Sequence, residues 1–297
     1  MEPVIDPAAI TTVGVLGAGT MGSGIATVVA RAGLEVILID NDDGALARGL
    51  EKVRAFLDRS VSLGKLPSRT RDAALRSLRG TTDLGLLADA DVVVEAIVED
   101  TAAKAGAFGA LDDVCRPSTL FHTNTSTLPV TAIAAGSKHP RRVVGTHYCN
   151  PAPLMSLVEV AAGRRTAPEA VAASEAFLRR VGKTTVRTKD TPGFIVNRFL
   201  IPFENDCIRA LEAGLGTVES IDLAVTGALR HPMGPFTLLD IVGLDIHRAV
   251  SLRLYEQLRD PRFAPPPLVE AMISAGTLGR KTGRGFYGYS DDRAFGA

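Results

Sequence analysis

The chain has 297 residues, 46% of them hydrophobic, which is enough for one large domain or two ordinary ones. Its 33 basic and 33 acidic residues cancel, and no basic stripe marks a nucleic-acid or membrane surface. Three cysteines, Cys115, Cys149 and Cys207, have neither CxxC nor Cys/His spacing. That pattern predicts reduced thiols, a cytoplasmic location and no metal site.

The N-terminal sequence MEPVIDPAAI has acids and prolines where a secretory signal would have basic residues and an apolar run, so we predict no signal peptide. Apolar runs end well before the roughly 18 residues that a membrane span requires, so we also predict no transmembrane segment.

A βαβ unit is predicted at the start of the chain. Residues 12–16 (TVGVL) form a short β-branched run, which indicates a strand. Glycines and the helical stretch MGSGIATVVARAG follow, and a second apolar run, VILID (36–40), ends in an acid. Strand, glycine turn, helix and strand in this order predict a right-handed crossover between parallel strands.

The following residues extend this pattern. Apolar positions at helical spacing predict a hairpin of two helices over 44–79. Further strands are predicted at 91–97, 119–125, 143–148, 157–163 and 184–190. Strands that alternate with helical stretches are typical of an α/β fold, so we predict a Rossmann-type, mainly parallel sheet with helices on both faces.

The pattern becomes helical after KDTPGFIVNR. FIVNRFLIPFENDCIRALEAG predicts one helix ending at Gly214, and TLLDIVGLDIHRAVSLRLYEQL predicts another from Thr237. We therefore predict an NAD-binding domain over 1–190 and a separate all-helical C-terminal domain over 191–297.

The glycine turn GVLGAGTMGSG contains Gly17-x-Gly19-x-x-Gly22 between a strand and a helix, followed by Asp40 at the end of the next strand. Gly17 allows the tight turn, Gly19 lets the backbone approach a pyrophosphate, and Gly22 lets helix and strand pack closely. The helix N-terminus offers free N–H groups to phosphate. An acid at Asp40 accepts ribose hydroxyls and repels a 2′-phosphate, which favours NAD over NADP.

Polar side chains cluster around HYCNP (147–151). His147 ends one predicted strand, and Glu159 lies within the next, so a short turn brings an imidazole and a carboxylate together. Such a pair suits an acid–base residue that takes a hydroxyl proton while a hydride leaves the same carbon. Ser126, in TNTSTL, and Asn197, in PGFIVNR, are candidate donors to a substrate oxygen.

Taken singly, each of these residues also has a structural explanation. A histidine at a strand end is often a satisfied structural residue, Glu159 suits an ordinary ion pair, and Ser126 and Asn197 suit turn or cap positions. The combination favours the functional interpretation. Cys149 is better explained as a small pocket or core residue than as a nucleophile.

Seven motifs in order over nearly the whole chain resemble the L-3-hydroxyacyl-CoA dehydrogenase family, especially its 3-hydroxybutyryl-CoA dehydrogenase branch. They are GAGTMGSGIA, VVVEAIVED, TNTSTL, HYCNPAPLMSLVEV, KDTPGFIVNR, HPMGPFTLLDIVGLD and GRKTGRGFYGY. The resemblance implies NAD-dependent oxidation of a short-chain (S)-3-hydroxyacyl thioester to the 3-ketoacyl thioester, or the reverse. It also implies a homodimer formed through the helical domain. The charge pattern, in turn, predicts no nucleic-acid or membrane partner.

The resemblance also assigns site residues. It places the catalytic pair on His147 and Glu159, and the substrate-oxygen contacts on Ser126 and Asn197. The cofactor contacts that it implies are Gly17, Gly19, Thr20, Met21, Gly22, Asp40, Glu95, Lys104, Asn124 and Lys281.

The chain departs from the family at three places. Ser156 stands between Met155 and Leu157, where the family often has a lysine. Tyr148 and Cys149 stand where the family usually has two phenylalanines, and Phe56 and Leu63 fall roughly where it has polar contacts to CoA.

Two alternatives stay open. The departures motivate the same chemistry on a carrier-protein-bound or non-CoA 3-hydroxy substrate. The other alternative is a non-catalytic NAD-binding protein that keeps the fold, and retention of all four polar site residues argues against it. Asn197 and Arg198 on the interdomain helix disfavour the related dehydrogenases that use a lysine there.

Overall fold

The computed structural model describes residues 6–289, and the chain separates into two compact units between Phe194 and Ile195. The sequence places the boundary near residue 190, four residues before this division. The carboxylate of Asp190 accepts hydrogen bonds from the backbone N–H groups of Val130 (2.6 Å) and Thr131 (2.8 Å), which ties this segment to the first unit.

The first unit is built on one eight-stranded sheet with the order β3-β2-β1-β4-β5-β6-β7-β8. Its strands are β1 (Thr12–Leu16), β2 (Glu35–Ile39), β3 (Leu78–Thr81), β4 (Val92–Glu95), β5 (Leu120–Thr123), β6 (Val143–Tyr148), β7 (Leu157–Ala162) and β8 (Thr184–Lys189). Neighbouring strands are parallel, except that β7 is antiparallel to β6. The predicted Rossmann-type, mainly parallel sheet is confirmed.

Helices cover this sheet. They are α1 (Thr20–Arg31), α2 (Asp43–Ser62), α3 (Ser68–Arg76), α4 (Thr101–Val114), α5 (Val130–Ala134) and α6 (Pro168–Arg180). Two apolar cores result. One packs α1, α2 and α6 against residues such as Val144 and Val158, and the other packs α4 and α5 against residues such as Val143 and Ala161. Alternate residues along β6 and β7 thus face different cores, as strand geometry requires.

Strand β3 was not predicted. Its sequence, LRGT, has no apolar alternation because it lies at the edge of the sheet and pairs only with β2. The predicted helical hairpin is otherwise confirmed as α2 and α3, which end before this strand begins.

The second unit is helical, as predicted. Its helices are α7 (Val196–Glu212), α8 (Val218–Ala228), α9 (Pro235–Val242), α10 (Leu244–Leu258) and α11 (Pro267–Ser274). The single helix predicted from Thr237 is wrong. Gly243 has a φ of 99°, outside the helical region, and separates α9 from α10. None of the helices in residues 6–289 combines the length and apolar character that a bilayer crossing requires.

Candidate active site

The glycine turn between β1 and α1 leaves no room for side chains at two positions. Gly17 has a φ of 100°, and a Cβ there would lie 2.6 Å from the carbonyl oxygen of Ala96. A Cβ on Gly22 would lie 1.7 Å from the carbonyl oxygen of Gly17. Only glycine fits either position, so the geometry gives Gly17 and Gly22 the roles that the sequence predicted.

The start of α1 is open where a dinucleotide would place its phosphates. A Cβ on Gly19 would meet no other atom within 4 Å, and Thr20 beside it is exposed, while Met21 is half-buried. Asp40 follows β2 and accepts a hydrogen bond from Ala18 N–H (2.8 Å), which fixes its carboxylate beside the turn. Free helix N–H groups and a fixed acid fit the phosphates and ribose of NAD.

His147 and Glu159 form a buried pair across β6 and β7. They are direct partners in the antiparallel register, and His147 Nδ1 lies 2.7 Å from Glu159 Oε2. Glu159 is fully buried and His147 is 7% exposed. A carboxylate beside Nδ1 favours the tautomer that carries the proton there, which leaves Nε2 as the acceptor nitrogen of the neutral ring.

Phe194 is a site residue that the sequence did not single out. Its ring centroid lies 5.7 Å from that of His147, and its side chain is 4% exposed. Its φ of 46° is uncommon for a bulky residue and costs on the order of 1 kcal/mol. The strained backbone therefore places an apolar ring beside the imidazole. Sequence patterns carry no signal for this backbone conformation.

Ser126 lies in the loop after β5, next to β6 in the sheet, and it is half-buried. Glu99 organises this loop. Its Oε1 accepts hydrogen bonds from Thr125 Oγ1 (2.7 Å), Ser126 N–H (2.8 Å) and Thr127 N–H (3.0 Å). Glu99 was not predicted as a site residue, although an acid shortly after the end of β4 is the type of residue that can hold a neighbouring loop.

Three predicted cofactor contacts, Glu95, Lys104 and Asn124, are buried at or near this edge of the sheet. Glu95 is fully buried and accepts hydrogen bonds from Lys104 Nζ (2.5 Å), Thr123 Oγ1 (2.7 Å) and Ile97 N–H (2.8 Å). Lys104 is 1% exposed. Glu95 and Lys104 therefore bind each other in this buried position, and their predicted contacts with the cofactor stay predictions. A buried ion pair satisfied in this way avoids the large cost of an isolated charge.

Asn124, the third of these contacts, uses its side-chain oxygen to accept a hydrogen bond from Tyr148 N–H (2.9 Å). This bond ties the end of β5 to the end of β6. The carboxyl ends of β4, β5 and β6 are thus joined by side chains as well as by the sheet.

Two predicted site residues belong to the second unit. Asn197 is half-buried in the first turn of α7, and Lys281 pairs with Asp245. Their predicted contacts with substrate and cofactor stay predictions.

The two departures in HYCNP differ in environment. Tyr148 is 1% exposed and belongs to the apolar core under α1 and α6. Cys149 is only half-buried, and its pKa is raised, first by burial and then by Glu159. The thiol therefore stays protonated at neutral pH, which agrees with its assignment as a pocket residue. Of the two substitutions, only Cys149 is exposed enough to meet a ligand.

The site therefore combines an oriented imidazole, a hydroxyl and a nucleotide-binding turn along one sheet edge. Ligands of doubly wound folds bind at this edge, outside the carboxyl ends of the parallel strands. An acid–base group beside a dinucleotide site suits removal of a proton and a hydride from the same carbon.

Comparison with known proteins agrees with this chemistry. The family model described as 3-hydroxyacyl-CoA dehydrogenase, NAD binding domain, matches residues 12–191, and the model of the C-terminal domain matches residues 193–289. A 3-hydroxybutyryl-CoA dehydrogenase from Mycobacterium tuberculosis is 46% identical over 283 residues, which cover 95% of this chain and 99% of the relative.

Solved structures agree as well. FadB2 from M. tuberculosis has a TM-score of 0.92 and 45% identity, with 95% of this chain and 100% of that chain covered. (S)-3-hydroxybutyryl-CoA dehydrogenase PaaH1 from Ralstonia eutropha has a TM-score of 0.88 and 39% identity, with 95% and 100% covered. The chain therefore belongs to the 3-hydroxyacyl-CoA dehydrogenase family and is an NAD-dependent enzyme of that family.

Proposed function

We propose that this enzyme interconverts a short-chain (S)-3-hydroxyacyl-CoA, with 3-hydroxybutyryl-CoA as the reference substrate, and the 3-ketoacyl-CoA. The observation that carries the proposal is the pairing of His147 Nδ1 with buried Glu159 at 2.7 Å, on the same sheet edge as the glycine turn. The names of the relatives support the substrate class.

In the proposed mechanism, His147 Nε2 takes the proton of the 3-hydroxyl group. Glu159 holds the ring orientation and stabilises the imidazolium as the proton arrives. The Ser126 hydroxyl hydrogen-bonds the same substrate oxygen, and Phe194 keeps one side of the imidazole dry. NAD, bound at the glycine turn, supplies the hydride acceptor. In the reverse direction, His147 returns the proton to the ketone oxygen.

The direct test is oxidation of NADH with acetoacetyl-CoA, run beside acetoacetyl-pantetheine. Turnover confined to the CoA ester supports both the reaction and the carrier. If both thioesters react equally well, CoA recognition is refuted. If neither reacts although NADH binds, the substrate assignment fails, and carrier-protein thioesters and non-CoA 3-hydroxy acids become the compounds to assay.

We further propose that the enzyme is a cytoplasmic homodimer that associates through its second unit. Large apolar side chains are exposed there, among them Leu215 (81%), Leu223 (71%) and Leu229 (59%) around α8, which is unusual for a monomer surface. The three free cysteines suit a reducing compartment. Sedimentation equilibrium of the wild type and of Leu223→Glu tests this: a dimer that the substitution dissociates supports it, and a monomeric wild type refutes it.

A further inference from the structure

A cavity of about 340 Å³ lies in the first unit, away from the glycine turn. Its walls come from the C-terminal half of α1, the end of α6 with the start of β8, and the turn that follows β6. Six lining residues matter here: Val28, Arg31, Leu66, Pro153, Arg180 and Lys183. Three of the six are cations, and no acid lines the cavity within the part of the chain described.

Lys183 is the most informative of the three cations. It is 7% exposed, and its ammonium group donates to the carbonyl oxygens of Ala152 (2.6 Å) and Met155 (2.7 Å). No carboxylate of residues 6–289 lies within 4 Å of it. Two neutral acceptors leave one of its three donors available and its charge unbalanced. A buried charge normally has a partner of opposite sign, because burial without one is costly.

The two arginines add positive charge at the mouth of this cavity. Burial, and then the charge of Arg31, lower the pKa of Lys183. Arg180 is oriented by hydrogen bonds to the carbonyls of Ile10 (2.6 Å) and Pro7 (3.3 Å). Both arginines lie in the last turn of a helix, where basic residues are common. That preference does not account for Lys183, which follows α6 and faces the same cavity.

We propose that this cationic pocket, defined by Arg31, Arg180 and Lys183, binds a phosphate-bearing group. A phosphate carries up to two negative charges and several acceptor oxygens, so it can bond all three cations at once. The cavity volume is within the range of small-ligand sites, and Val28, Leu66 and Pro153 provide an apolar wall for the organic part of the ligand.

Two sources of phosphate fit this chemistry: the phosphate end of the CoA carrier, or a separate phosphate compound. Pro153 lines the pocket and lies in the turn that leads on from His147, so the pocket adjoins the segment that carries the proposed base. The carrier source rests on the proposed function, whereas the separate source does not.

Calorimetric titration with two probes, inorganic pyrophosphate and adenosine 3′,5′-bisphosphate, tests the pocket. Saturating NAD is present throughout, so that the glycine turn is blocked. The variants are Arg31→Gln and Arg180→Gln, and the matched control is Arg179→Gln, which removes an exposed arginine beside Arg180 that does not line the cavity. Loss of one charged contact should weaken binding about five- to tenfold, and the control should bind like the wild type.

Steady-state kinetics with acetoacetyl-CoA and acetoacetyl-pantetheine separate the two sources. If the carrier is the source, both pocket variants raise KM for the CoA ester alone and leave kcat unchanged. If the source is a separate phosphate compound, both KM values stay unchanged while pyrophosphate binding weakens. The proposal is overturned if neither probe binds the wild type, or if Arg179→Gln weakens binding as much as the pocket variants do. Absence of turnover with either thioester removes the proposed function but leaves the titration valid.

Discussion

Glu159 stands directly opposite His147 in the register of β6 and β7, so the backbone pairing itself sets the 2.7 Å contact between their side chains. A carboxylate positioned in this way holds the imidazole in one tautomer. Glu159→Gln should therefore lower kcat by about 10²- to 10⁴-fold, the usual share of an acid–base residue. Stopped-flow kinetics measure the change in kcat. NADH fluorescence titration measures the affinity for NADH, which should not change. A variant with normal kcat and weakened NADH binding would contradict the assignment.

The contact between Glu99 and the Ser126 loop predicts a pH-dependent stability. Burial alone would raise the pKa of Glu99, but Lys104 and the loop donors from Thr125, Ser126 and Thr127 outweigh it, so the net pKa is lowered. A lowered native pKa means that the ionised form stabilises the fold above the unfolded pKa of about 4.3, and that this stability is lost as the pH falls further.

Urea denaturation of the wild type and Glu99→Gln at pH 7 and pH 3.5 measures this effect. The wild type should be the more stable at pH 7, and the difference should shrink at the lower pH. Glu51→Gln is the control, since Glu51 is exposed on α2. This variant should be as stable as the wild type at each of the two pH values. A difference that grows on acidification would show that the pKa is raised instead.

The hydroxyl of Tyr148 is buried without a hydrogen-bond partner among residues 6–289. An unsatisfied buried hydroxyl costs about 1–3 kcal/mol. Tyr148→Phe should therefore raise the free energy of unfolding by about 1 kcal/mol, the lower end of that range. Tyr287→Phe is the matched comparison, because its hydroxyl donates to Asp222 (3.0 Å), and its loss should destabilise the protein. Destabilisation by both changes in thermal denaturation would refute the assignment for Tyr148.

The glycine turn predicts different outcomes at Gly19 and Gly22. Gly22→Ala places a methyl group against the Gly17 carbonyl, so both folding stability and NAD binding should fall. Gly19 has a φ of −67° and free space around it, so Gly19→Ala should fold normally. The added methyl group would occupy the space for phosphate and weaken NAD binding by about tenfold or more. Thermal melting and NADH titration of both variants distinguish these outcomes, and equal melting temperatures would contradict the packing argument.

The sequence predicted the elements that have local signals. Glycines, β-branched runs and helical periodicity located most strands and the change to helices near residue 190. Strand β3 lacked such a signal because an edge strand does not need two apolar faces. The break at Gly243 was missed because apolar spacing continues across it from α9 into α10.

The same distinction between local and long-range signals applies to the candidate site. His147 and Glu159 are close in the chain, so the predicted strand–turn–strand hairpin was sufficient to place them near each other. Glu99 and Phe194 act through long-range contacts or an unusual φ, which no local pattern reveals. Burial of Glu95 and Lys104 depends on which groups cover them, and that is a property of the assembled sheet edge.

The reversal of direction between β6 and β7 makes catalysis depend on the alignment of a single hairpin. Residues along β7 alternate between the two faces, so Val158 and Val160 belong to one core while Ala161 belongs to the other. Insertion of one residue between Leu157 and Val158 would place Val158 opposite His147 and turn the carboxylate of Glu159 to the opposite face. Any odd-numbered length change inside β7 would therefore preserve the sheet and remove the partner of the base.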